Sequence, residues 1–382
     1  RPGVDPAALA EAADRVLAGA PVADTLTPFY APHLLRDLER RASVALPPAP
    51  LAAPFDIPAA GPTGAGRVSA YLKISDGCNA PCTFCIIPQI KGRFTSADAG
   101  DLLAQAWQLR AEGARELVLV AQDSTAYGED LGLRDALPGL LRRLAEAVPD
   151  VWLRLMYAYP GRVSERLIRT MAELPQVVHY LDVPLQHGAV ATLRRMRRPA
   201  NMTMVRRMIA DLRAAMPDIA LRTSFITGFP GETEAEFEEL LDFVREIRFD
   251  HVGVFTYSRQ ERAVSHGFED HVPERIKRER RRRIMEAQQQ ISLAKHRALI
   301  GQELTVLVED VGAPAGRGRR STDGLVVAGR SHRDAPEVDG AVLCAGVAEP
   351  GSFVRVRVTE ARPYDLVGEI VGPSAAVATA AG

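Results

Sequence analysis

Apolar runs of strand length alternate with helix-length amphipathic stretches over residues 67–300. The intervals between consecutive runs are wide enough to hold a helix. Strands that helices cover on both faces read as continuous apolar runs, and repeated βα units form a parallel sheet. The pattern therefore predicts an α/β domain over residues 67–300. Its candidate strands are residues 67–75, 116–123, 151–159, 177–185, 221–229 and 251–258.

The intervening helices carry start signals. Thr233 is followed three residues later by Glu236, which is typical of a capping box. Another helix is predicted to begin after Ser96. The residues predicted to form its apolar stripe are Leu102, Leu103, Ala106 and Trp107. These signals support the fold rather than a function.

The pattern changes after residue 300, where short apolar runs are separated by Gly and Pro turns without a helical period. It predicts a small antiparallel β-barrel over residues 301–371. Residues 372–382 are rich in Ala and are predicted to be a disordered tail. Residues 1–66 end in a segment rich in Ala and Pro, which is typical of a linker.

The charge and hydropathy of the chain narrow the class of protein. The formal net charge of -1 at pH 7 argues against a chain that coats a polyanion, although it allows a local basic patch. No apolar run approaches the roughly 18 residues that suggest a membrane span, so no membrane partner is predicted. No charged-then-apolar leader opens the chain. We expect a cytoplasmic protein.

Three of the four cysteines, Cys78, Cys82 and Cys85, lie together in a C-x3-C-x2-C pattern. A structural zinc site needs four ligands, and the closest histidines in sequence, His33 and His179, are far away, so zinc fits poorly. Three thiolates on a [4Fe–4S] cluster would leave one iron open for an exogenous ligand. The loop follows the first candidate strand, which predicts a place at the carboxyl end of the sheet, where α/β enzymes hold their sites.

The cysteine loop, with Phe84 before the last cysteine, resembles that of the radical S-adenosylmethionine (SAM) enzymes. The resemblance implies a partial (β/α)6 barrel, with Cys78, Cys82 and Cys85 holding a [4Fe–4S] cluster whose open iron binds SAM. It also implies an electron donor protein, because reductive cleavage of SAM to a 5'-deoxyadenosyl radical consumes one electron. A structural or electron-transfer cluster is the alternative.

More of the chain is similar to one branch, the methylthiotransferases. The matching segments, "YLKISDGCNAPCTFCIIPQIKGR", "LVLVAQDSTAYG", "VPLQHG", "RTSFITGFPGETE" and "VGVFTYS", stand in that family's order. The all-β end resembles its TRAM domain, which binds the macromolecular substrate. The resemblance covers about residues 67–370.

Two classes of methylthiotransferase remain open, and three features favour the class that modifies a protein. His187 follows Gln186 where the tRNA-modifying class usually carries Ser, and residues 331–340 resemble the TRAM loop of the protein-modifying class. Residues 301–371 hold eleven acidic residues against eight arginines, whereas an RNA-binding surface is expected to be basic.

The favoured function is therefore addition of a methylthio group to the β-carbon of an aspartate of small-subunit ribosomal protein twelve, either free or in the assembled ribosomal subunit. The alternatives are tRNA adenosine methylthiolation and a non-enzymatic ribosome-binding module with a structural cluster.

Two further residues are candidates for contact with SAM. Gln122, with Asp123, ends the second candidate strand, although such a pair is as often a turn or a cap. Arg222 lies in an apolar strand and needs a negative partner, which is either a carboxylate of the cofactor or Asp182. His187 is interpreted as a packed residue rather than a catalytic one. No residue is assigned as catalytic.

A basic run at residues 275–283 lies in a predicted helix over residues 273–301. It predicts either contact with ribosomal RNA or a solvated helix with Glu274–Arg278 and Glu279–Arg283 pairs. The fourth cysteine, Cys344, is interpreted as a small buried hydrophobe.

Methylthiotransferases carry three more cysteines in an N-terminal domain, where they bind a second [4Fe–4S] cluster. Residues 1–77 contain no cysteine, so this chain cannot build that cluster. We interpret residues 1–66 as a remnant of the N-terminal domain plus the linker. Either the true N-terminus lies upstream, or the protein cleaves SAM but cannot complete sulfur insertion. We favour the first, because the downstream segments keep the family pattern and the chain does not begin with Met.

Overall fold

The computed structural model of the chain describes residues 68–312 and 326–375. The predicted N-terminal segment, residues 1–66, and most of the predicted tail lie outside the described residues.

A six-stranded parallel sheet forms the first part of the described chain. The strands of this part are β1 (Ser69–Lys73), β2 (Ser75–Asp76), β3 (Thr95–Ser96), β4 (Glu116–Val120), β5 (Trp152–Leu155), β6 (Val177–Asp182), β7 (Ala220–Thr227) and β8 (His251–Thr256). The sheet has the order β1-β4-β5-β6-β7-β8 with every neighbouring pair parallel, while β2 and β3 form a separate antiparallel ribbon. The predicted partial (β/α)6 arrangement is confirmed.

Helices connect these strands as the pattern predicted. They are α1 (Ile87–Ile90), α2 (Ala99–Ala111), α3 (Leu137–Ala147), α4 (Glu165–Glu173), α5 (Val190–Arg195), α6 (Met202–Ala215), α7 (Glu234–Ile247) and α8 (Glu274–Arg297). The capping box of Thr233 and Glu236 is present at the start of α7. Asp98 caps α2 and accepts hydrogen bonds from two backbone N–H groups of its first turn.

The predicted apolar stripe of α2 is wrong at one position. Leu102 and Ala106, one helical turn apart, are buried, but Trp107 is 58% exposed. Its indole N–H donates to the carbonyl oxygen of Ala147 at the end of α3 (2.9 Å). Trp107 is next to Ala106 in sequence, so its side chain points about 100° away around the helix and covers the edge of the helix pair instead.

The described C-terminal part is a small closed barrel. Its strands are β9 (Glu303–Gly312), β10 (Val326–Ser331), β11 (Val342–Ala345), β12 (Phe353–Ala361) and β13 (Leu366–Pro373), in the order β10-β11-β13-β12-β9. The predicted barrel is confirmed, but β11 and β13 pair in parallel, so it is not wholly antiparallel. Strand β13 ends at Pro373, two residues past the predicted end of the barrel at residue 371. Cys344 is buried in the barrel core, as predicted.

The two faces of the parallel sheet pack against different partners. Leu72, Leu119 and Leu155 belong to the main core with the helices. The opposite face contributes Val118, Trp152 and Tyr180 to a second cluster with Leu307, Ala335 and Phe353 of the C-terminal barrel. The rings of Trp152 and Phe353 meet edge to face with centroids 4.9 Å apart. The segment between β10 and β11, through Ala335, therefore packs against the face of the sheet opposite the main core.

The turn after β7 requires glycine. Gly228 has φ +71°, and a Cβ atom there would lie 2.2 Å from Cγ of the buried Lys277. Gly231 also has positive φ, at +73°. These conformations let β7 turn sharply into α7.

We expect the Gly228→Ala variant to lose about 2 kcal/mol or more of unfolding free energy, because the new methyl group meets Lys277 and the left-handed backbone is strained. Urea denaturation measures this loss. Gly139→Ala is the matched control, because Gly139 lies in α3 with no atom within 4 Å of its Cβ position. That control should gain about 0.5–1 kcal/mol. Equal effects of the two substitutions would contradict this account of the turn.

Candidate active site

A cavity of about 590 Å³ opens at the carboxyl ends of the parallel strands. Its walls come from residues at or just after the ends of β1, β4, β5 and β6 and from the loop between β2 and α1. The residues that matter for its chemistry are Cys78, Cys82, Cys85, Gln122, Tyr157, Tyr159 and Arg198. The structure therefore brings the three predicted cysteines and Gln122 together.

The cysteine loop is held by close backbone contacts. Gly77 has φ +70°, and a Cβ atom there would lie 2.3 Å from the carbonyl oxygen of Arg93, so only glycine fits. Thr83 is buried between the cysteines, and its hydroxyl donates to the carbonyl oxygen of Arg195 (2.8 Å). Its backbone N–H donates to the carbonyl oxygen of Met196 (3.0 Å). The end of α5 and the cysteine loop are thus fixed against each other.

Each of the three thiols accepts one N–H group. The backbone N–H of Ala80 points to Sγ of Cys78, and that of Ile87 points to Sγ of Cys85, both at 3.4 Å. Cys82 instead receives Nη1 of Arg198 at 3.9 Å. Burial raises the pKa of Cys82, and the Arg198 guanidinium opposes that effect.

The three thiols line one cavity, as the thiolate ligands of one iron–sulfur cluster would. Among the described residues, no group of three His, Cys, Asp or Glu side chains converges closely enough to hold one metal ion. The three sulfur atoms nevertheless line one cavity and are partly accessible. A [4Fe–4S] cluster takes one thiolate at each iron corner, so its ligands must be spread around a volume. N–H groups directed at sulfur are also typical of such sites.

Gln122 and Asp123 have different environments. Gln122 lines the cavity, whereas Asp123 is buried beneath it. Asp123 forms an ion pair with Arg162 and accepts a hydrogen bond from the hydroxyl of Thr125 (2.6 Å). Asp123 therefore supports the loop, and Gln122 is the member of the pair that lines the cavity.

Arg222 does not line the cavity. Its Nη1 atom lies 2.9 Å from Oδ1 of Asp182, and its Nε atom lies 3.4 Å from Oδ1 of Asp339, in the segment between β10 and β11. Of the two partners that the sequence left open for Arg222, the structure shows the ion pair with Asp182. Asp339 was not predicted, and it turns Arg222 into a link between the sheet and the C-terminal barrel.

His187 is fully buried and does not line the cavity. Its Nδ1 accepts the backbone N–H of Ala189 (3.0 Å), so Nε2 carries the proton and faces Oε2 of Glu232 (3.5 Å). That carboxylate also accepts the N–H of Gly228 (2.8 Å). The interpretation of His187 as a packed residue is confirmed.

The predicted ion pairs of the basic helix are wrong in register. Glu274 pairs with Lys277 at 2.7 Å, and Glu279 pairs with Arg282 at 2.6 Å, so both contacts span three residues rather than four. Residues on the inner side of α8 anchor the helix: Arg280 is buried and its Nη1 lies 2.8 Å from Oε1 of Glu232. Contact of the outer side with ribosomal RNA stays a prediction.

Two family models match this chain. Residues 72–244 match the radical SAM superfamily, and residues 300–371 match the TRAM domain. The chain therefore contains a radical SAM domain and a TRAM domain. The segment that matches the radical SAM superfamily contains all three cavity cysteines.

Curated relatives of this chain share the name "Ribosomal protein uS12 methylthiotransferase RimO". The protein from Roseiflexus sp. (strain RS-1) is 54% identical over 79% of this chain and 63% of its own length. Those from Chloroflexus aurantiacus and Geobacter sulfurreducens are 50% and 45% identical over 79% of this chain and 65% and 66% of their own lengths. The chain thus spans just under two thirds of the relatives it matches.

Sequence reasoning missed three cavity residues of this radical SAM domain. Arg198 was one of several arginines in "LRRMRRP", and nothing in that run distinguishes it from its neighbours. Tyr157 and Tyr159 were read only as the end of a strand, but β5 stops at Leu155 and both tyrosines lie beyond it. The positive φ of Tyr157, +58°, is a feature that only the structure reveals.

Within the described residues, no helix combines the length and apolar character that crossing a membrane requires.

Proposed function

We propose that this chain is the radical SAM and TRAM part of a methylthiotransferase that adds a methylthio group to the β-carbon of an aspartate of ribosomal protein uS12. The observation that carries the proposal is the set of three thiols, spread around one cavity at the carboxyl end of the sheet, each receiving an N–H group. The names of the curated relatives, which specify ribosomal protein uS12, support this substrate.

In this proposal Cys78, Cys82 and Cys85 hold one [4Fe–4S] cluster, and Gln122 contacts SAM. The cluster with SAM supplies the radical chemistry that removal of hydrogen from an unactivated carbon requires. The protein's own residues position the reacting groups and shield them from water. Tyr157 and Tyr159 wall the cavity beside the cysteines, where aromatic side chains exclude water from a reactive site.

The outer surface of the TRAM barrel supports a basic protein as substrate. Arg330 and Arg333 turn inward toward the radical SAM domain, with side chains only 4% and 11% exposed. The exposed Arg355 and Arg357 both pair with Glu303. Exposed acids remain at Asp310, Glu349 and Glu369. The inward arginines cannot contact phosphates, so this surface suits a cationic protein better than RNA.

The remaining parts of the proposal follow from the proposed chemistry. Reduction of the cluster requires an electron donor protein, and a ribosomal substrate places the enzyme in the cytoplasm, where it acts on uS12 alone or in the assembled small subunit. A second [4Fe–4S] cluster, expected for the full-length family, would take its ligands from cysteines outside this chain.

Deleting the gene in its full genomic frame should remove a methylthio group from uS12 and leave bulk tRNA unchanged. Mass spectrometry of both molecules, from cells with and without the gene, tests this. Restoring the gene should restore the modification, and restoring it with Cys82→Ala should not. Loss of the group from tRNA instead would overturn the choice of substrate. Loss from neither molecule would overturn the proposed methylthiotransferase activity.

A further inference from the structure

Arg198 stands out among the cavity residues because the backbone around it is fixed to the cysteine loop. It follows α5, and its backbone N–H donates to the carbonyl oxygen of Leu193 (2.9 Å). The preceding Arg197 has φ +52°, which completes a tight turn. The two hydrogen bonds from Thr83 to Arg195 and Met196 join this turn to the loop between Cys82 and Cys85. The distance between Arg198 and Cys82 is therefore set by rigid contacts.

The guanidinium group of Arg198 is held on three sides. Nη1 lies 3.9 Å from Sγ of Cys82, Nη2 donates to the carbonyl oxygen of Pro184, and the group lies 4.3 Å from the centre of the Tyr159 ring. Contact with a carbonyl and an aromatic face leaves the side chain little freedom to turn away. One N–H of the group is thus directed at sulfur.

The charge of Arg198 is not cancelled by a neighbouring acid. Among the residues that the structure describes, no carboxylate forms an ion pair with it. Arg162, whose charge also acts on Cys78, differs in this respect, because it pairs with Asp123 and lies 3.1 Å from Glu129. Cys78 and Cys85 receive neutral backbone N–H groups. Cys82 alone among the three receives its N–H from a charged side chain.

We propose that Arg198 tunes the cluster by placing an uncompensated positive charge and an N–H group on the sulfur of Cys82, which raises the reduction potential. This inference rests on the proposed cluster site. Uptake of one electron from a low-potential donor adds one negative charge to the cluster. A fixed cation 3.9 Å from a ligand sulfur stabilises the reduced state more than the oxidised one. Arg198 is thus a positioning residue for the electron-transfer step.

The test uses the 382-residue chain with its cluster reconstituted from iron and sulfide without oxygen. The midpoint potential is measured without SAM, by redox titration followed by electron paramagnetic resonance of the reduced cluster. Arg198→Met should make reduction about tenfold less favourable, which is a fall of about 59 mV for a one-electron couple. Arg198→Lys should recover most of the loss, and Arg198→Gln, which keeps an N–H group without the charge, should lie between.

Arg194→Met is the matched control, because Arg194 is exposed on α5, one turn before Arg198, and removal of its charge should leave the potential unchanged. Equal potentials for the unaltered protein, Arg198→Met and Arg198→Gln, at equal iron content, would overturn the proposal. A shift that occurs only when SAM is added would also overturn it, since Arg198 would then act on the cofactor. Failure of the unaltered chain to take up a cluster would instead contradict the proposed cluster site itself.

Discussion

The Cys82→Ala variant is expected to lose its cluster and all cleavage of SAM. Only three thiols line the cavity, and with two left, a second iron loses its protein ligand. The variant also leaves the Arg198 guanidinium beside an apolar methyl group in place of sulfur. Iron and sulfide content and visible absorbance measure the cluster, and chromatography of 5'-deoxyadenosine after reduction measures the cleavage.

Cys344→Ala is the matched control for this experiment. Cys344 is 1% exposed in the core of the TRAM barrel and carries no cavity contact. Its replacement should cost about 1 kcal/mol of unfolding free energy, as expected for loss of one small buried group, and should leave the cluster intact. Retained cleavage of SAM by the Cys82→Ala variant would contradict the cluster assignment.

The second large effect is expected at Glu116, which joins the parallel sheet to the TRAM barrel. Its carboxylate is fully buried and lies 2.7 Å from Nε of Arg154 and 2.5 Å from Nη2 of Arg330. The hydroxyl of Ser69 donates to the same carboxylate (2.8 Å). Arg154 is also fully buried and donates to the backbone carbonyl oxygen of His332 (2.7 Å). One buried carboxylate thus pairs with two buried arginines that belong to different domains, and Arg330 also pairs with the partly exposed Glu309.

Replacing Glu116 with Gln leaves the buried Arg154 guanidinium without a carboxylate partner among the described residues, whereas Arg330 keeps Glu309 at 2.7 Å. Loss of one member of a buried ion cluster costs about 3–5 kcal/mol, because it leaves a buried charge uncompensated. We expect a loss of that size in the unfolding free energy, measured by urea denaturation. The matched control is Glu303→Gln, whose carboxylate also contacts two arginines but is 37% exposed, and its loss should stay below about 1 kcal/mol. Similar losses for the two variants would show that burial of the Glu116 cluster is unimportant.

The same cluster predicts a pH dependence. Burial alone would raise the pKa of Glu116, but Arg154 and Arg330 outweigh it and lower the pKa to about 2. An unfolded glutamate titrates near ~4.3. The stabilisation from Glu116 is therefore fully present above that value, and it is lost as the pH falls toward 2. Between these limits the unaltered protein should lose stability with falling pH more steeply than Glu116→Gln.

Local patterns along the chain predicted much of the fold. The six parallel strands and the capping box at Thr233 each depend on side chains within a few residues of one another. The position of the cysteine loop followed from the same logic, because a loop after a parallel strand must lie at the carboxyl end of its sheet. Trp107 was misplaced because helical periodicity defines a stripe only to within one position at its edge.

The sequence by itself determined the parallel sheet, the barrel that follows it and the three thiols of the site, because local periodicity and residue spacing indicate each of them. Only the tertiary structure decided which charges meet. Arg330 reaches Glu116 from 214 residues away, and Arg198 reaches Cys82 from 116 residues away. Nothing near either arginine in sequence distinguishes it from the many arginines that remain in solvent. The partner of a buried charge is chosen by how distant elements pack, which local pattern does not encode.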